Sequence, residues 1–411
     1  MAQQAVVDSF VSGADEQASP VKRDQKRRRG PPRSAILMVI AVIGLLHAYV
    51  GFRLFPALDL SIKEMLASVL LLALSTVLIP LALLAPMLSR KMPKWLESSL
   101  VWCGLITGGF ASSLLVLTVL RDIALLPSTL FLADAKQSAI ENYSAWAALG
   151  LAGAFSFVGL INARRAPRIV NVDVPLANLP PALQGFRIAQ ISDIHVGPTI
   201  KRAFLQRIVD QVNQLEADVV AITGDLVDGS VTELATHTDA LKDLRAKHGS
   251  YFVTGNHEYY SGADAWINEL RRLGVSVLQN EHVCIEHGGE QIILAGVSDY
   301  SGHHFGEHHR SNPHAAMAGA PDAGAKILLA HQPRSAPEAE LAGFDLQLSG
   351  HTHGGQFFPW NFFVPLQQPY TAGLHQLKKM WVYTSRGTGY WGPPKRLGAP
   401  AEITLLRLVS A

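Results

Sequence analysis

Four long apolar stretches, at 34–52, 65–88, 100–120 and 145–161, limit what this 411-residue chain can fold into. A bilayer core about 30 Å thick takes roughly 20 helical residues to cross, and a helix is the one open segment that satisfies its own backbone there. Residues 34–162 therefore read as a helical membrane domain of four spans, preceded by a basic, disordered cytoplasmic arm at 1–33. The first stretch starts late and has no clear small-residue cleavage site, so it reads as a retained span rather than a signal peptide.

Orientation follows from the short connections. Lys22, Arg23, Lys26, Arg27, Arg28, Arg29 and Arg33 precede the first span, Arg90, Lys91 and Lys94 follow the second, and Arg164, Arg165 and Arg168 follow the fourth. The other side carries Arg53, Lys63, Arg121 and Lys136. Thirteen against four, alternating in phase with the spans, puts residues 163–411 in the cytoplasm at the inner membrane. If only three spans insert, the assignment reverses. His47, Pro80 and Pro86 lie in the spans, but no span carries a central acid or base, so an anchor is expected rather than a transport path. The net charge of +2 comes largely from the arm and gives no nucleic-acid footprint, and two cysteines build neither a disulfide framework nor a thiolate zinc site.

From Pro167 onward, short β-branched runs alternate with helical periodicity, the pattern of a layered α/β domain spanning 163–411. Strands are expected at 186–192, 218–223, 251–254, 275–278, 282–286, 292–297, 326–330, 346–349, 381–384 and 403–408, and helices at 201–216, 231–247 and 263–273. Asp193 and His195 follow one strand, Asp225 the next, Asn256 and His257 the next, and His331, then His351 and His353, two more. Ligands collect outside strand ends in such sheets, so five distant segments should converge.

Asp193, His195, Asp225, Asn256, His331, His351 and His353 are oxygen and imidazole donors suited to divalent transition metals, and the absence of soft donors excludes copper(I) and iron–sulfur sites. Two carboxylates offset about half the charge of two divalent ions and leave a site that attracts phosphate. The order D-x-H, G-D, G-N-H, H, G-H-x-H resembles the calcineurin-like metallophosphoesterase superfamily over residues 168–410. That resemblance implies a two-sheet sandwich flanked by helices, in four layers α/β/β/α. It also implies two divalent ions, manganese, iron or zinc, the first held by Asp193, His195, Asp225 and His353 and the second by Asp225, Asn256, His331 and His351. His257 matches the histidine that contacts the phosphoryl group or protonates the leaving oxygen, a role open to a group that titrates near neutrality.

The stretches at 191–195, 255–260 and 348–356 are similar to membrane-associated bacterial phosphodiesterases of the YkuE and YaeI type, a branch linked to UDP-diacylglucosamine hydrolysis. With several spans before the domain, the chain also resembles transmembrane proteins bearing a metallophosphoesterase domain. The expected activity is hydrolysis of a phosphodiester or pyrophosphate bond on a lipid-linked substrate. An anchored nucleotide or general phosphatase is the alternative within enzymes; a receptor or transporter with a non-catalytic metal-binding domain is the alternative outside them. Arg386 is a candidate for binding substrate phosphate, or for pairing with an acid of the fold. The aromatic run 357–363 and Tyr390-Trp391 either pack long loops or meet the leaflet. His303, His304, His308, His309 and His314 fall in a Gly/Ala/Pro-rich loop at 301–325, a cover for the site or an auxiliary metal patch, and Asp299 is expected to cap a strand.

Overall fold

The computed structural model describes residues 33–88, 92–127 and 134–411. The basic arm up to residue 32, and Arg90 and Lys91, lie outside the described residues. By its internal contacts the chain divides after Val39, and residues 40–411 form one unit.

Among the described residues, four helices are long and apolar enough to cross a membrane: α1 (Arg33–Leu54), α2 (Ile62–Leu88), α3 (Lys94–Leu125) and α4 (Asp134–Arg164). The fourth, the shortest apolar run in the sequence, is a 31-residue helix because polar turns extend it at both ends. His47 is satisfied within the bundle, its Nε2 lying 2.8 Å from Ser75 Oγ and its Nδ1 2.8 Å from the Ile43 carbonyl. At the far end of α3, Asp122 accepts from Tyr49 at 2.6 Å and from Arg53 at 2.7 Å, joining α1 to α3. His47 and Asp122 thus find partners within the bundle, as a low-dielectric surrounding demands.

The remaining chain builds two six-stranded sheets. The first contains β1 (Arg168–Leu176), β2 (Arg187–Ile191), β3 (Val219–Ile222), β4 (Ser250–Phe252), β5 (Ser276–Val277) and β12 (Glu402–Ser410), ordered β1-β12-β2-β3-β4-β5. The second contains β6 (Glu281–His287), β7 (Glu290–Gly296), β8 (Ala325–Leu329), β9 (Leu346–Ser349), β10 (Gly373–Leu377) and β11 (Met380–Thr384), ordered β10-β11-β9-β8-β7-β6. β2 to β5 run parallel, as do β7, β8, β9 and β11, which aligns their C-terminal ends.

Alternation along each strand divides its side chains between two cores. Ile188, Val219, Ala221, Ile292, Leu294, Ile327, Leu346 and Leu348 fill the space between the sheets. Ala189, Ile191, Val220 and Ile222 face outward onto Phe204, Leu205, Ile208, Leu234, Trp266 and Leu270, which belong to α5 (Arg202–Gln214), α6 (Val231–Thr238) and, beyond the short α7 (Asn256–Ser261), α8 (Ala263–Arg272). On the other side, Ile293, Ala295, Leu328 and Val382 pack on Ala316 of α9 (Pro313–Met317) and on Ala336 and Ala339 of α10 (Ala336–Leu341). The layers are α/β/β/α, and strands buried on both faces read as nearly continuous apolar runs. The segment after Asp299 is assembled from short helical turns at Gly302–His304 and Glu307–His309 followed by α9.

Candidate metal centre

All seven expected donors and His257 lie beyond the C-terminal ends of β2, β3, β4, β8 and β9. Two groups form. In one, His195 Nε2 lies 3.1 Å from His353 Nε2, and His353 Nε2 lies 3.5 Å from Asp193 Oδ1. In the other, His331 Nε2 lies 3.2 Å from both Asp225 Oδ2 and His351 Nδ1. Asp225 Oδ2 is also 3.9 Å from His195 Nε2, so one carboxylate faces both groups. Asn256 opens α7, and its Oδ1 is buried with no hydrogen-bond partner among the described residues. A buried amide oxygen is costly without a partner, and a divalent cation among these oxygens and imidazoles would supply one.

The backbone at these positions is unusual. Asp193, His195, Asp225, His351 and His353 all have φ between 51° and 69°, a left-handed region that costs a residue with a Cβ about 1–3 kcal/mol. Close approach is enforced at two glycines. A Cβ on Gly255 would lie 2.2 Å from Asp225 Oδ1, and one on Gly350 would lie 2.2 Å from Asp193 Oδ2.

Hydrogen bonds from the backbone and from neighbouring side chains fix how each donor is presented. The His351 N–H donates to Asp193 Oδ1 at 2.9 Å, and the His257 N–H donates to Asp225 Oδ1 at 2.9 Å. His331 Nδ1 donates to the Thr223 carbonyl at 2.7 Å, which leaves its Nε2 lone pair for the centre. Asp228 Oδ1 accepts from His195 Nδ1 at 3.0 Å and from His257 Nδ1 at 2.6 Å. Glu258 is fully buried and accepts from the N–H groups of Gly255, Asp225 and Leu226 at 2.7, 3.0 and 2.8 Å, clamping the β3 and β4 loops together.

Burial, reinforced by His331, lowers the His351 pKa to about 3, and burial with Arg396 holds His353 well below its usual value, so both imidazoles keep a free lone pair. Burial opposes ionisation of Asp225, but His331 and His257 outweigh it and hold the carboxyl well below the usual range. Burial would also lower His331 and His257; Asp225 and Asp193 together outweigh it at His331, raising it well above normal, and Asp225 and Asp228 together outweigh it at His257, raising it to about 9. The His331 proton is the one a cation must displace.

Sequence reasoning passed over Asp228, Arg396 and Lys395. Asp228 stands three residues after Asp225 in the same strand-end loop, a carboxylate whose spacing was the available signal. Arg396 is buried and donates to the carbonyls of His353, Arg386 and Ala399, drawing three loops together. Lys395 lies between membrane helices: its Nζ donates to Gly109 O at 2.9 Å and to Ser113 Oγ on α3, and to Ser156 Oγ on α4 at 3.2 Å. The Arg396 N–H donates to Gly159 O at 2.9 Å, and Asn162 Nδ2 to Arg396 O at 3.2 Å. No local pattern marks this docking, which pairs residues more than 200 positions apart.

Arg386 pairs with Glu402, its Nη1 2.9 Å from Oε2, beside Gly354. Asp299, expected to cap a strand, is buried and accepts from Ser301 and Gln332, anchoring the turn that follows it to the loop after β8. The aromatic rim is exposed: Trp391 and Tyr260 contact the His257 ring at 5.7 and 5.4 Å, and Phe358, Trp360, Phe362, Phe363 and Leu366 project from the loop after His353. Phe357, at the base of that loop, is buried 5.2 Å from Lys395 Nζ.

A membrane-spanning chain whose two-sheet domain gathers histidines and carboxylates at its strand ends defines a metal-binding α/β class. Residues 186–355 match the calcineurin-like phosphoesterase family. The chain is 44% identical over 269 residues to a Bos taurus transmembrane protein with metallophosphoesterase domain, covering 62% of this chain and 60% of that one. It is 39% identical over 278 residues to the Danio rerio protein of the same name, covering 64% and 62%. Against the uncharacterized metallophosphoesterase YkuE of Bacillus subtilis it is 30% identical over 245 residues, covering 56% of this chain and 82% of that one. The chain belongs to the calcineurin-like phosphoesterase family, and its match spans about three-fifths of the length of the two vertebrate relatives.

Proposed function

We propose that this chain is a membrane-anchored, metal-dependent hydrolase of phosphodiester or pyrophosphate bonds, acting on a lipid-linked substrate at the cytoplasmic face of an inner membrane. The observation that carries the reaction class is Asp225, one carboxylate facing both donor groups. Asp193, His195, Asp225 and His353 would hold one divalent ion and Asp225, Asn256, His331 and His351 a second, manganese, iron or zinc being compatible with these donors. Bound there, such ions supply charge compensation at the phosphoryl oxygens and activation of water.

The protein's own groups supply the rest. His257, raised to about 9 and held by Asp228, carries a proton near neutrality and is the donor to the departing oxygen. The Glu258 clamp and the glycines at 255 and 350 keep the carboxylates in position. Arg386 has Nε and Nη2 without hydrogen-bond partners among the described residues and is the candidate contact for a substrate phosphate.

Lipid linkage is supported by the aromatic loop at 358–366, whose base touches the lysine seated between α3 and α4. A UDP-diacylglucosamine-like pyrophosphate is one chemistry that suits such a rim. The basic residues bordering the spans support a cytoplasmic catalytic domain (163–411) behind a membrane domain (34–162) and a basic arm (1–33). The test is the full-length protein in lipid nanodiscs with Trp360 and Phe362 changed to serine. Turnover of a lipid pyrophosphate should fall several-fold more than turnover of a soluble chromogenic diester; equal losses would remove the lipid assignment.

A further inference from the structure

At the other end of the sandwich, three residues form a donor cluster that the phosphoesterase site does not use. Asp218 immediately precedes β3, His248 stands two residues before β4, and His287 closes β6, so the first two belong to one sheet and the third to the other. The short β3 separates Asp218 from Asp225, so the cluster lies at the opposite strand ends from the metal centre.

The geometry is close. His248 Nε2 is 3.1 Å from His287 Nδ1, Asp218 Oδ1 is 3.9 Å from His287 Nδ1, and one donor atom from each of the three lies within 4.8 Å of the others. The parts are held from behind. Asp218 Oδ2 accepts the Arg187 N–H at 2.8 Å, the His248 N–H donates to Asp218 O at 2.8 Å, and Tyr251 Oη donates to His248 O at 2.9 Å. Phe186 meets both rings, at centroid distances of 5.0 Å from His287 and 6.1 Å from His248.

His248 Nε2 and His287 Nδ1 face each other at 3.1 Å across a single hydrogen bond. Asp218 Oδ1 then faces them with no hydrogen-bond donor among the described residues. A tetrahedral ion at ordinary zinc distances of about 2.0–2.2 Å holds its donor atoms roughly 3.3–3.5 Å apart. The Asp218–His287 pair reaches that spacing by closing a few tenths of an ångström, and the Asp218–His248 pair, within 4.8 Å, by closing about an ångström through side-chain rotation. Side-chain exposures of 19% for His287 and 15% for Asp218 leave room for water as a fourth ligand.

We propose that Asp218, His248 and His287 form an additional site for a borderline divalent transition metal, zinc or cobalt(II), that cross-links the two sheets. Its ligands come from two sheets, so the ion is a staple rather than a catalyst. It does not depend on the chemistry at the strand ends.

The test uses full-length protein in detergent, stripped with chelator, reloaded with zinc or cobalt(II) and dialysed, with metal counted per chain by mass spectrometry. Wild type should retain one more ion than His287→Gln. The variant should keep phosphodiester turnover within about twofold and lose part of the zinc-dependent rise in Tm. Asp218→Asn, which keeps an acceptor for the Arg187 N–H, serves if His287→Gln fails to fold, and should lose the same ion. In Asp225→Asn the additional ion should persist, which separates this site from the strand-end centre. Equal ion counts in wild type and the folded variant, with the same cobalt(II) visible spectrum, would overturn the site.

Discussion

Removing the Asp228 side chain tests whether the centre depends on the carboxylate that holds two of its histidines. Its Oδ1 accepts two hydrogen bonds, 3.0 Å from His195 Nδ1 and 2.6 Å from His257 Nδ1. Bonds to a charged group are worth about 1.5–3 kcal/mol each, and loss of a carboxylate behind a metal-ligating histidine lowers affinity or activity about 10–100-fold. Asp228→Ala should therefore weaken metal binding through His195 by about 10–100-fold. It should also lower diester turnover at saturating metal, because His257 loses both its orientation and a charge that favours its proton. Asp228→Asn keeps an acceptor without the charge, and should retain most of the metal affinity while losing much of the turnover. The assay is a manganese titration monitored by turnover, beside direct metal binding. An Asp228→Ala protein within about threefold of wild type in both would refute this reasoning, since the stated bonds predict at least tenfold.

Gly255→Ala puts a Cβ 2.2 Å from Asp225 Oδ1 and should cost about 100-fold in turnover, as displacement of a reacting group by about 1 Å does; steady-state kinetics at saturating metal checks it. Gly159→Leu in α4 starts a side chain 2.6 Å from Lys395 Cγ, and the overpacking should cost about 1–3 kcal/mol in thermal unfolding and depress lipid turnover, although the residue lies far along the chain from every metal donor. His331 has a raised pKa, so its proton must leave before a cation binds. Apparent metal affinity, titrated at two pH values one unit apart below that pKa, should rise up to about tenfold with the higher pH. Chelation should lower Tm, because buried carboxylates and imidazoles lose a shared partner.

Strands buried on both faces were legible, because Val219–Ile222 is wholly apolar and Arg187–Ile191 is apolar at three of its five positions. β1 and β10 were not. β1 is an edge strand with Asn171 and Asp173 on exposed positions and Pro175 near its end, and β10 is exposed or half-buried along its length, so neither gives an apolar run. The expected helix at 231–247 stops at Thr238 and continues as a 3-10 turn over Asp239–Asp243. The convergence of the candidate donors was legible because each follows a strand, and it needs only parallel strands with aligned ends. Glu258 acts on neighbours from within a recognised motif and Asp228 from three residues beyond one, and their partners cannot be read without the turns. The Lys395 and Arg396 docking was illegible for a stronger reason: it joins a surface loop to two apolar helices by contacts that no periodicity records.

The most direct measurement is mass spectrometry of a membrane lipid extract incubated with metal-loaded full-length protein, beside Asp225→Asn. The wild type should deplete a phosphate-linked lipid and release its two cleavage products, and the variant, with the shared carboxylate neutralised, should leave the extract unchanged. Equal depletion by both proteins would contradict metal-dependent hydrolysis centred on Asp225.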